Sequence, residues 1–160
     1  MELFTIGVYG FNEETFFDTL REKRIDVFCD IRRRRGMRGA KYAFANSLQL
    51  QNKLQKFGIK YVHYRDLAPS NETRQKQKDD DIAHSIKKSE RQDLSKAFIQ
   101  AYQDECLSSF STDKFIEDLG SSVQRIVLFC VERDPEACHR SLVSIKISSD
   151  LGVHIEHIKP

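Results

Sequence analysis

The sequence predicts an α/β protein: a mostly parallel sheet of about five strands with helices on both faces, plus a polar helical insertion before the fourth strand. Two observations predict it. Short apolar runs rich in β-branched residues alternate with stretches of helical periodicity. The runs are continuously apolar rather than alternating with polar residues, which is the pattern of strands covered on both faces. In such sheets ligands bind outside the C-terminal ends of the strands, so the loops that follow strands carry the functional information.

Residues 3–9 (LFTIGVY) read as a buried strand, closed by Gly10. Asn12 is a helix cap, and Glu13 and Glu14 suit the positive end of that helix. Phe16, Phe17, Leu20 and Ile25 keep roughly helical spacing. Residues 25–31 (IDVFCDI) are the second strand, and a basic loop follows over residues 32–41. Asn46 is a second capping candidate. Leu48, Leu50, Leu54 and Phe57 ride the next helix, and Gly58 ends it. Residues 59–63 (IKYVH) are the third strand.

Residues 66–96 change character. Gln, Lys, Asp and Ser dominate, which reads as a solvated helix, a mobile lid or a partly disordered insertion. Helical periodicity returns over residues 94–119 through Leu94, Phe98, Tyr102, Phe115 and Leu119, so residues 66–111 form a polar, helical insertion. Residues 125–130 (RIVLFC) are the clearest buried strand. Asp134 then caps a helix with Pro135 in its first position, a helix that runs to about Leu151 and ends at Gly152. Residues 153–158 form the last strand. A chain of 160 residues suits one domain over residues 1–160, and no internal repeat divides it.

Composition narrows the function classes. No apolar run approaches the ~18 residues of a membrane span, so no membrane partner is expected. The N-terminus has neither a basic start nor a small-residue cleavage site, and a signal peptide is not expected. Cys29, Cys106, Cys130 and Cys138 form no CxxC pair, which gives little support to a zinc knuckle or a redox dithiol. A reducing, cytoplasmic setting is the expectation, with no cofactor and no metal. The formal net charge of +2 hides an asymmetry. Residues 32–65 hold ten basic and no acidic side chains, whereas residues 1–31 hold three basic and seven acidic ones.

Two constellations carry candidate chemistry. The first is Asp30-Ile31-Arg32 with Arg33, Arg34, Arg35 and Arg38, at the C-terminal end of the second strand. Several guanidinium forks together can hold a polyanion. Gly36 and Gly39 allow close backbone approach, and Tyr42 and Phe44 offer stacking surfaces. The bland reading is a solvated loop, with Asp30 merely holding one of the arginines. The second is the stretch from Cys130 through Glu132, Asp134, Pro135, Cys138 and His139 to Arg140, which runs off the fourth strand into a helix N-terminus, a natural anion site. Cys130 sits where phosphatase-like and sulfurtransferase-like folds place a nucleophile. Against that, position 136 is Glu rather than the expected Arg, and no glycine lies between residues 130 and 140. His139 is a general acid–base candidate or a buried histidine bonded to a carbonyl. Glu132 is a base or an arginine's partner. Cys138, one turn before Leu142 and Ile145, reads as core. His63 faces the same edge of the sheet, and His154 and His157 read as structural. A metal site would need Cys130, Cys138 or His139 to converge with another ligand such as His63, which the spacing does not specify.

Three stretches carry a family resemblance: Thr5-Ile6-Gly7 followed by Tyr9-Gly10; Asp30-Ile31-Arg32; and Cys130-x-Glu132-x-x-Pro135-x-x-Cys138-His139-Arg140. With them the sequence resembles the bacterial and archaeal domain of unknown function 488 family. The arginine run after Asp30 and the stretch Leu67-Ala68-Pro69-Ser70 depart from the usual pattern and mark a subfamily. The resemblance implies the α/β fold and no particular reaction.

The side chains therefore set the functional expectation. It is a site for an anionic ligand, a nucleotide or nucleic acid, at the strand ends. Arg32, Arg33 and Arg140 are expected to hold the anion, with Tyr9 and His63 beside them. Asp30, Glu132, His139 and Cys130 would orient these groups or carry chemistry. The alternatives are an enzyme with hydrolytic, phosphoryl-transfer or cysteine-dependent activity, and an accessory protein-interaction module.

Overall fold

Five short strands form one all-parallel sheet in the computed structural model, which describes residues 1–87, 90–120 and 122–160. The strands are β1 (Glu2–Gly7), β2 (Val27–Asp30), β3 (Lys60–His63), β4 (Arg125–Cys130) and β5 (Ile155–Ile158), in the order β3-β2-β4-β1-β5. The helices are α1 (Glu13–Glu22), α2 (Ser47–Lys56), α3 (Asn71–Ala83), α4 (Lys96–Tyr102), α5 (Thr112–Leu119) and α6 (His139–Leu151). The expected strands are all present, each trimmed by a residue or two at one or both ends except residues 125–130. The register sets Gly7 level with Cys130, and Asp30 level with both Phe129 and His63. The polar loops after β1, β2 and β4 thus emerge side by side.

Alternation along the strands builds two cores. Phe4, Ile6, Phe28, Val127 and Phe129 face α1 and α2, where Phe16, Phe17, Leu20, Leu50 and Leu54 meet them. Leu3, Val27, Cys29, Ile126, Leu128 and Cys130 face α4, α5 and α6, through Phe98, Tyr102, Phe115, Leu119, Val143 and Ile147. The chain leaves β1 and β2 toward the first face and β4 toward the second. The end of β4 therefore lies between two neighbours whose loops diverge from its own, the arrangement that opens a crevice in α/β sheets.

Local sequence explains the joints, with corrections. Asn12 caps α1 by accepting from Thr15 N at 2.9 Å. Asn46 precedes α2 but makes no cap; its Oδ1 accepts from Met37 N at 2.5 Å and ties down the basic loop instead. Pro135 does not begin the last helix. It opens a short 3-10 turn, Pro135–Ala137, and Cys138 is extended (φ −139°, ψ 140°) before α6 starts at His139. The physical reason is that Asp134 offers no side-chain cap and pairs with Lys159 at 3.4 Å. Leu48 and Ile145, both counted in the apolar spacing of their helices, are 72% and 58% exposed on the outer sides of those helices.

The polar stretch before β4 is a docked helix rather than loose chain over α3. Its inward stripe is Thr73, Gln77 and Asp81, all polar and all buried. Thr73 donates to Glu105 at 2.6 Å, Gln77 accepts from Ser95 N at 2.8 Å, and Arg91 forms an ion pair with Asp81. Hydrogen bonds replace apolar contacts here, so hydropathy alone gives no sign of the docking. Among the described residues no helix is long and apolar enough to cross a membrane.

Candidate functional site

Asp30 ends β2 fully buried and takes Arg32 in a two-pronged ion pair, with Nε to Oδ1 at 2.9 Å and Nη2 to Oδ2 at 2.7 Å. Tyr61 donates to the same carboxylate at 2.8 Å. Burial, and then the Asp30 charge, push the Tyr61 hydroxyl up to about 12, so it stays a donor. The Arg32 guanidinium lies over the Phe129 ring at 4.5 Å, and His63 Nε2 meets the Arg32 carbonyl at 2.9 Å. Two of the sequence candidates, Asp30 and Arg32, are thus committed to each other inside the protein.

The end of β4 carries the second group. Cys130 is its last residue, and Cys138 and His139 return to it at the start of α6. His139 Nδ1 lies 3.9 Å from both sulfurs. His139 Nε2 meets the Ile31 carbonyl at 3.1 Å; a carbonyl only accepts, so Nε2 carries a proton, and Nδ1 is the nitrogen that faces the two sulfurs. Cys130 Sγ also lies 3.6 Å from Glu132 Oε2. Arg140 is fully buried and holds the connecting loop, donating to the Glu132 carbonyl at 2.6 Å and the Arg133 carbonyl at 2.9 Å. Gly7 makes room for this. A Cβ there would fall 1.7 Å from the Glu132 carbonyl oxygen and 3.1 Å from Arg140 Nη1, so only glycine fits. Tyr102 closes the far side, its ring 5.4 Å from the imidazole.

Electrostatics divide the two cysteines. The hydrogen bond with Cys138 and burial push Cys130 well up, so it remains a thiol. Burial opposes ionisation of Cys138, but the hydrogen bond from Cys130 and the charges of Arg140 and His139 outweigh it and hold Cys138 well below the usual thiol range. Burial likewise opposes the His139 cation, and the adjoining Cys138 overcomes it and raises the imidazole. Arg32 Nη1 and Arg140 Nε are buried N–H groups without an acceptor among the described residues.

The third group is exposed. Beyond Arg32 the side chains of Arg33, Arg34, Arg38 and Lys41 all face solvent. Arg35 is partly buried and reaches Tyr61 at 3.5 Å. Burial opposes ionisation of Glu105, but bonds from Thr73 and Ser70, with the charge of Arg33, hold its carboxyl below the ordinary range. Tyr9 and Tyr42, both partly buried, sit ring to ring at 5.2 Å, with Lys41 Nζ 5.3 Å above the Tyr42 ring. Beside them a groove of about 420 Å³ runs between Asn12 and Glu13 on one side and Ala40, Lys41 and Gln49 on the other.

The structure brings Cys130, Glu132, His139 and Arg140 together, and separately Asp30, Arg32 and His63. Arg33 is exposed and Tyr9 is partly buried beside Tyr42, their side chains outside these two groups. Cys138, read as core and also named among the residues a metal site would need, is buried and is part of the β4 group. Tyr61 gave no signal in the sequence, because its role depends on the β2–β3 register. His157 bonds Thr5 at 2.8 Å across β1 and β5.

The family model described as domain of unknown function DUF488 matches residues 12–146, which include the Asp30-Ile31-Arg32 stretch and the whole Cys130-to-Arg140 motif. No curated protein matches the chain, and no solved structure does.

Proposed function

The chain belongs to the DUF488 family, a domain of unknown function, and within that family we propose a protein that binds a phosphate-bearing ligand, a nucleotide or nucleic acid, at the C-terminal edge of its sheet. One observation carries the reading. Arg33, Arg34 and Arg38 are exposed in the loop directly after β2, and Lys41, exposed at the end of that loop, stands over Tyr42 of the Tyr9–Tyr42 pair and lines the groove at the start of α1. Guanidinium forks match phosphate oxygens, and tyrosine rings offer bases a stacking surface. Arg32 and Arg140 contribute by position: buried, Arg32 anchors the start of the loop from which the exposed groups project, and Arg140 holds the neighbouring loop after β4. His63 acts the same way, through the Arg32 carbonyl. Hydrolytic or cysteine-dependent chemistry is the weaker reading, since Cys130, Cys138, His139 and Glu132 are all buried and offer a substrate little surface.

A salt titration tests it. Binding of a labelled single-stranded oligonucleotide should weaken linearly in log–log form, by about 0.7 in slope per phosphate neutralised. A flat response would remove the nucleic-acid arm and leave a mononucleotide, measured by calorimetry, as the remaining test. Absence of binding in both would sink the proposal.

A further inference from the structure

We propose that Cys130 Sγ, Cys138 Sγ and His139 Nδ1 form a binding site for a thiophilic divalent metal ion, zinc foremost, with the Glu132 carboxylate closing the fourth position. It lies inside the β4 end and is independent of the anion-binding reading. Four features carry it.

The three donor atoms lie within 4.8 Å of one another, and all three residues are buried. A tetrahedral zinc with ordinary bond lengths separates a sulfur from a nitrogen ligand by about 3.6 Å. The two observed gaps of 3.9 Å need to close by only a few tenths of an ångström.

The imidazole is already turned the right way. Its Nε2–H is spent on the Ile31 carbonyl, which leaves Nδ1 facing both sulfurs as the nitrogen that gives up its proton to a metal. Ligating histidines are oriented in this way by a carbonyl or carboxylate on the far nitrogen.

The donor set selects the ion. Two sulfurs and an imidazole favour zinc and its softer neighbours over magnesium or calcium. Glu132 Oε2, 3.6 Å from Cys130 Sγ but outside the cluster of three, reaches the fourth position only by a side-chain movement, from the next residue but one in the chain.

The surroundings complete the site. Two thiolates and a carboxylate outweigh a divalent ion by one negative charge, and the Arg140 guanidinium wraps the same loop and offsets it. Metal uptake sends the thiol protons to solvent, so affinity falls as pH falls.

The test uses the full, untagged chain stripped of metal by a chelator and titrated with Co²⁺ alone, then with Zn²⁺. The expected result is one ion per chain, a thiolate-to-cobalt charge-transfer band, and the intense d–d bands of four-coordination. Zn²⁺ should displace the cobalt and raise the melting temperature. Cys130→Ser and Cys138→Ser should each lose more affinity than the ~10–100-fold that outer-shell changes cost, while Cys106→Ser binds as the wild type does. If a variant fails to fold, the wild-type cobalt spectrum decides. Folded, reduced wild-type protein that takes up no Co²⁺ at micromolar concentration would overturn the proposal. So would uptake that survives in both folded Cys130→Ser and Cys138→Ser.

Discussion

Two polar loops leave the same edge of the sheet, one after β2 and one after β4, and they use charge in opposite ways. After β4, Cys130, Cys138, His139 and Arg140 are all less than a tenth exposed, and backbone carbonyls or neighbouring side chains take up their polar atoms, Arg140 Nε excepted. After β2, only Arg32 is buried; Arg33, Arg34 and Arg38 stand in water. An arginine in the first setting is an internal strut, because a buried guanidinium must be matched within the protein. An arginine in the second is available to a partner. Residue type is therefore a poor guide to role at this edge, and depth separates the two.

The sharpest way to break the comparison is to treat the buried side as if it were the exposed one. Asp30→Asn leaves the Arg32 cation without its counter-ion and should cost about 3–5 kcal/mol in denaturant unfolding. A loss no larger than that of a surface substitution would mean that Arg32 is not internally committed. Gly7→Ala comes next. Its new methyl must displace the Glu132 carbonyl or Arg140, and the expected loss is at the upper end of the ~1–3 kcal/mol of overpacking. It should also lower cobalt affinity, since the displaced loop carries Glu132; unchanged uptake would separate the loop from the metal site.

Asn46→Ala probes the exposed side more gently. It removes the tether on Met37 N, and a single hydrogen bond contributes about 0.5–1.5 kcal/mol. Stability should fall within that range, and oligonucleotide affinity should fall with it as the loop loses its anchor. Loss of stability with full affinity would show that the loop needs no anchoring.

Much of the fold was legible because the strands are apolar on both faces and the joints carry Asn12, Gly58 and Gly152. The insertion was not, because α3 docks through Thr73, Gln77 and Asp81, and no apolar period marks such a face. The last helix was misplaced for a related reason: a proline after an aspartate signals a helix start, yet here it starts a turn that the backbone closes by itself, Cys138 N bonding to the Pro135 carbonyl at 3.0 Å. At the site, the two polar stretches were legible as motifs, but their depth was not. Whether Arg32 faces solvent or Asp30 depends on Phe129 lying beneath it, a neighbour set by strand order and 97 positions away in the chain. The pairing of Cys138 with Cys130 depends likewise on the turn between them.

The central claim is that the exposed arginines, and not the buried ones, meet the ligand. The most direct measurement compares the salt dependence of oligonucleotide binding in the wild type and in a triple variant, Arg33→Ala with Arg34→Ala and Arg38→Ala. The melting temperature should not move, while affinity drops and the log–log slope shrinks by about 0.7 for each phosphate contact removed, roughly two in all. An unchanged slope at unchanged stability would contradict the account and return the search to the buried end of β4.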